Sequence, residues 1–153
     1  MLRKCIFLLI FLLSLTTPMV HAGAQEDAHA ALEKFFAAFT LNNGATISTL
    51  FTPDALFYGT TSRELVTQPE SVRRYFDNAL LRGTALKATL LASTANVLND
   101  NTVAISGAWQ IERTVDGKTG VNGPLRVSVV MVKRGERWLI AQFHNSARPA
   151  APN

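Results

Sequence analysis

Cysteine occurs once in the 153 residues, at Cys5, and histidine three times, at His21, His29 and His144. A lone cysteine provides no disulfide framework and no thiolate cluster, and histidines so spaced form no recognisable zinc set. No cofactor or metal is therefore expected. Glycine is sparse as well, and none of the nine lies in a phosphate-cradling loop, a nucleophile elbow or a dinucleotide fingerprint. Charged residues make up 17% of the chain and are scattered rather than clustered, so no nucleic-acid partner is expected.

One long apolar run is present, and it stands at the start. Arg3 and Lys4 precede Ile6 to Leu15, and small-residue cleavage sites follow at Val20-His21-Ala22 or Ala22-Gly23-Ala24. That is the pattern of a secretory signal peptide over residues 1–22. The run is shorter than the ~20 residues that span a bilayer, and no stable membrane anchor is expected after cleavage. Cleavage after Ala22 would remove Cys5 and lower the net charge from +4 to +2. Export to the periplasm, in preference to full secretion, is the expected destination.

Residues 25–149 form the expected single domain, followed by a frayed Pro/Ala-rich tail at 150–153. Gln25–Leu41 carries Ala28, Leu32, Phe35, Phe36 and Phe39 on one helical stripe. A short second helix places Ile47, Leu50 and Phe51 together before Pro53, and a brief strand follows at Ala55–Tyr58. Thr67 and Glu70 have capping-box spacing around Pro69. The helix they open shows Val72, Tyr75, Phe76, Ala79 and Leu80 on one face, with Gly83 closing it. Four strands follow, Leu86–Leu98, Thr102–Thr114, Leu125–Lys133 and Arg137–Ser146, joined by Asn99-Asp100-Asn101, by the Asp116-Gly117 loop and by the Gly135 turn. Helices first and a meander afterwards predict an α+β fold, with N-terminal helices packed on a curved antiparallel sheet. In the last strand Trp138 and Ile140 alternate with Leu139, Ala141 and Phe143. Both faces then read as apolar, which predicts a homodimer or larger ring covering the second face.

The helix segment Arg73-Arg74-Tyr75-Phe76-Asp77-Asn78, the Asp116-Gly117 loop and the ending Gly135-Glu136-Arg137-Trp138…Phe143-His144-Asn145-Ser146-Ala147-Arg148-Pro149 carry a resemblance over Glu26–Pro149. The chain resembles the NTF2-like (cystatin-like, cone-shaped α+β) superfamily and its SnoaL-like branch. The nearest local likeness is to the association domain of calcium/calmodulin-dependent protein kinase II and its free-standing bacterial relatives. The resemblance implies a cavity beneath the sheet and assembly through it. The cationic cavity positions of the kinase domains correspond here to Val72, Gln110, Val129 and Asn145, so their anion-binding character is not implied.

Six residues are candidates for a ligand site: Tyr58, Trp109, Gln110, Arg126, Gln142 and His144. A three-residue turn at Gly135 with a bulge sets Arg126 opposite Gln142 and brings Arg126, Gln142 and His144 to one side of the hairpin. A two-residue turn shifts the register by one and sends His144 to the other side. Tyr58 adjoins Gly59, where cavities of this fold open, and Trp109 and Gln110 follow a potential bend at Gly107. No Asp or Glu stands out as a general base. The expected function is binding of a small, partly apolar molecule, self-association, or both. The alternative is a cofactor-independent isomerase, cyclase or hydratase acting next to a carbonyl, with His144, Arg126 and Tyr58 as its catalytic candidates.

Overall fold

The computed structural model describes residues 19–80 and 84–150, with side chains from residue 23 onward. The expected leader lies outside them except for its last four residues, as do Gly83 and residues 151–153. The elements run α1 (Met19–Thr40), α2 (Gly44–Ser48), β1 (Phe51–Tyr58), α3 (Pro69–Ala79), β2 (Ala85–Asn99), β3 (Thr102–Val115), β4 (Lys118–Arg134) and β5 (Arg137–Ala147). The strands form one sheet in the order β1-β5-β4-β3-β2. Helices packed on one face of a curved, unclosed sheet give the expected α+β cone. The meander β2–β5 is antiparallel, whereas β1 joins the edge of β5 in parallel, so the sheet is mixed rather than purely antiparallel. The chain can return in parallel because α3 intervenes between β1 and the meander.

Local chemistry moves several boundaries. Phe51 opens β1 instead of completing α2, because Ile140 N–H donates to the Leu50 carbonyl and draws the segment onto the sheet edge. Pro53 is tolerated there because an edge strand can lose a donor, and the pairing register shifts between Phe51 and Leu56. The capping box does not form. Pro69 takes the first helical position, which makes Gln68 the cap and leaves Thr67 one residue outside it. The β3–β4 hairpin is longer than expected, with β4 starting at Lys118. Asp116 (φ 49°) and Gly117 (φ 73°) are both left-handed, as a two-residue type I′ turn demands.

The Gly135 turn decides which side chains share a face. Arg134 pairs with Arg137, so the turn is Gly135-Glu136, with Gly135 at φ 60°. A bulge follows: Met131 pairs with Ile140 and Val130 with Gln142, leaving Ala141 unopposed. Arg126 therefore faces Ser146, and neither register expected from sequence holds. Because of the same bulge, Phe143 joins Trp138 and Ile140 on the inner face, while Leu139, Gln142 and His144 point outward. At its start the strand is apolar on both faces, with Leu139 outward beside Val132, but Trp138 is core, at 8% exposure, rather than part of a surface patch.

The core is dense in aromatic rings. Phe35 of α1 lies 5.1 Å from Phe143, 5.7 Å from Phe76 and 6.5 Å from Trp109, between centroids. Its neighbours come from α3, β3 and β5, so one side chain ties both layers together. Among the described residues no helix is long and apolar enough to cross a membrane.

Candidate functional site

A cavity of about 420 Å³ lies where α1 and α3 leave the inner sheet face uncovered. Its apolar walls include Phe35 and Phe39 of α1, Phe76 of α3, Trp109 and Ile111 of β3, Leu125 of β4 and Phe143 of β5. Its polar groups are Thr60, Thr61, Tyr75, Asn78, Arg113, Asn122 and Asn145. No carboxylate and no imidazole appears among these lining residues. Among the described residues no group of three or more His, Cys, Asp or Glu side chains could hold a metal.

Strand alternation supplies the lining from β3. With Trp109 turned inward, Ile111 and Arg113 follow on the same face, while Gln110 and Glu112 turn outward. On β5 the bulge at Ala141 does the same for Phe143 and Asn145. Asn145 is buried, and its Oδ1 accepts from Trp109 Nε1 at 2.8 Å while its Nδ2 donates to Thr60 Oγ1. This chain of bonds satisfies the indole and ties the loop after β1 to the cavity floor.

Tyr75 forms the opposite rim. Its ring lies directly over Gly59, where an added Cβ would sit 2.1 Å from the ring, so the residue after β1 must lack a side chain. Thr61 donates to the Tyr75 hydroxyl from its backbone N–H at 3.5 Å and from its own hydroxyl at 3.4 Å, both long contacts. Arg113 reaches across from β3 to α3, with Nη2 donating to the Ala79 carbonyl at 3.4 Å.

Of the six residues singled out from sequence, Trp109 alone lines this cavity. Arg126, Gln142 and His144 do share a face, but it is the outer face of the sheet, where Arg126 and His144 are exposed. Tyr58 lies beside them, opposite His144 in the register with ring centroids 6.1 Å apart. Gln110 is half-buried on the outer face and packs against Gly123. Arg126 and His144 are consequently not a buried pair in need of a partner. Asp54 is exposed on β1, and its carboxyl lies below the ordinary carboxylate range with the Thr52 side chain as the main cause, the reverse of what a general base needs.

Sequence reasoning missed Arg113, Tyr75 and Thr60 as cavity residues, and it weighed Asn145 only as the place of a missing cation. The period-2 count from Trp109 would have found Arg113. The helical stripe with Val72 and Phe76 marked Tyr75 as facing inward but not as a cavity residue, and nothing local marks Thr60, which meets the cavity through tertiary packing of the Gly59 loop.

Comparison with known proteins agrees with this architecture. The SnoaL-like domain family matches residues 28–151. Curated protein sequences give no match. A candidate calcium/calmodulin dependent protein kinase II association domain from Xanthomonas campestris is 27% identical, with a TM-score of 0.72 over 80% of this chain and 86% of that one. A candidate dehydratase of the NTF2-like family from Streptomyces avermitilis is 16% identical, with a TM-score of 0.72 over 84% and 99% of the two chains. A candidate scytalone dehydratase from Novosphingobium aromaticivorans is 10% identical, with a TM-score of 0.69 over 84% and 87%. The last two are similar in fold alone. With helices on a curved five-stranded sheet, a cavity beneath them and a family match across nearly all the described residues, this chain belongs to the SnoaL-like domain family.

Proposed function

We propose that the chain binds a small, partly apolar molecule in the cavity between α1, α3 and the inner face of the sheet. The observation that carries this reading is the lining: aromatic rings around about 420 Å³, with amides, hydroxyls and one guanidinium at the rim. Small-molecule sites have this size and mixture. The alternative is the carbonyl-adjacent isomerase, cyclase or hydratase chemistry toward which the names of the two dehydratase relatives point. Such chemistry needs a proton carrier beside the reacting carbon. The lining residues offer the Tyr75 phenol but neither carboxylate nor imidazole beside it, and His144 is exposed on the far side of the sheet, so binding ranks ahead of catalysis.

Self-association and export belong to the same proposal. Across the outer face the register lines up Tyr58, His144, Ser128, Ser106 and Thr94, a row with short uncharged side chains at its centre on which a second sheet can lie flat. Export rests on the sequence of residues 1–22 alone. Native mass spectrometry of the full chain, expressed and purified without refolding and then titrated with neutral 2-naphthamide, tests all three points. The expected spectrum shows loss of about 22 residues, as the leader pattern implies, a dimer or ring, and one small molecule per subunit, with naphthamide uptake lost in Ile111→Trp. An uncleaved chain sinks export, a monomer sinks association, and an empty protein that ignores naphthamide sinks the binding function.

A further inference from the structure

Among the described residues Arg113 is the one charged side chain that lines the cavity. Its Nη2 makes the long contact to Ala79, but its Nη1 is closed off from solvent and has no hydrogen-bond partner among the described residues. Neither of the two ion pairs among those residues involves it, since Arg73 pairs with Asp77 and Lys87 with Glu112. Glu112, its chain neighbour, lies on the opposite face and meets Lys87 at 3.1 Å. A buried donor on a charged group is costly to leave unpaired, and the cost is removed by any acceptor brought to it. Here a ligand can be that acceptor.

The surroundings favour an anion. Arg113 and Asn122 also border a second, more open groove along the β3–β4 hairpin, whose other charged lining residues are Asp116 and Lys118, one of each sign. One guanidinium thus stands between that groove and the apolar interior. Asn122 and Asn78 add amide groups to the lining, and among the described residues no acidic side chain lines the cavity to compete for the charge.

We propose that the ligand is a monocarboxylate with a flat apolar body, its carboxylate accepting from Arg113 Nη1 and its body lying against Phe35, Trp109 and Phe143. This names the ligand class of the binding function proposed above and rests on it. With one cation among the described lining residues, a single negative charge is matched, whereas a doubly charged phosphate ester would be half neutralised.

Calorimetric titration of the full chain with 2-naphthoate, 2-naphthamide and 2-naphthyl phosphate tests the assignment. Naphthoate is expected to bind about ten-fold or more tightly than the amide, as one charge-assisted hydrogen bond allows. Arg113→Gln should bring naphthoate down to about the affinity of the amide, while Arg113→Lys keeps part of the preference. A preference that survives Arg113→Gln, or that is missing in the parent protein while the amide binds, overturns the role of Arg113 and leaves the cavity function standing. Tighter binding of the phosphate overturns the carboxylate. If none of the three binds, the cavity function falls and this inference with it. Unfolding gives an independent readout. An unpartnered guanidinium destabilises the empty protein, so Arg113→Met should raise Tm as it abolishes the preference, and a lowered Tm would mark a structural arginine and overturn the proposal.

Discussion

Asn145 serves the indole of Trp109 and the hydroxyl of Thr60 with one amide. Its replacement by alanine leaves the buried Trp109 N–H without an acceptor and frees the loop that begins at Gly59. Asn145→Ala is expected to cost about 1–3 kcal/mol, the usual penalty for a buried unpaired donor. Chemical denaturation measures it, and a loss below about 0.5 kcal/mol, the scale of an ordinary surface substitution, would show that the chain of bonds is dispensable. The same residue shows how the site was concealed in the sequence. Asparagine carries no titratable group, so a search for acids, bases and cations passes over it. Arg126 and His144 drew attention because they carry chemistry, yet both are exposed on the far side of the sheet.

At the scale of elements, α1 supplies the part of the core that holds the two layers together. Phe35 is fully buried and packs edge-on or tilted against rings from α3, β1, β3 and β5. Phe35→Ala is expected to destabilise the fold by about 3–5 kcal/mol, because the rigid rings around it cannot collapse into the space. Equilibrium unfolding tests this, and a cost near 1 kcal/mol would mean that α1 closes over the gap. The stripe containing Phe35 was legible because a helix repeats its buried face every three to four residues, and Val72 and Phe76 of α3 were legible for the same reason. The strands were legible too, except for the first four residues of β1 and the first seven of β4. The partner and direction of β1 were not, since parallel pairing between segments 86 to 89 residues apart leaves no local mark. The face of each β5 residue was also hidden, because a bulge at a small residue such as Ala141 has no signature of its own and reverses every inside-outside assignment after it.

For the molecule as a whole, the chemistry of the cavity sets its response to solvent conditions. None of the lining residues is a carboxylate or an imidazole. The affinity for a neutral probe such as 2-naphthamide is therefore expected to stay flat between about pH 5 and 8, the range in which histidine is the side chain that ordinarily changes charge. Titration calorimetry at four pH values checks this. A step in affinity would reveal a proton-carrying group at the site and would move the enzymatic alternative ahead.

The unopposed Ala141 bears on how freely the length of this chain can vary. Its neighbours Ile140 and Gln142 already pair with consecutive residues of β4, so the strand holds one residue more than its partner needs. A deletion at that point would regularise the ladder while Phe143 and Asn145 kept facing the cavity and His144 stayed outside. An inserted residue farther along has no such slack to enter and would force the following side chains to exchange faces. Chain length is thus forgiving at one position of β5 and strict at the others, and related chains can lose that residue without changing what lines the cavity.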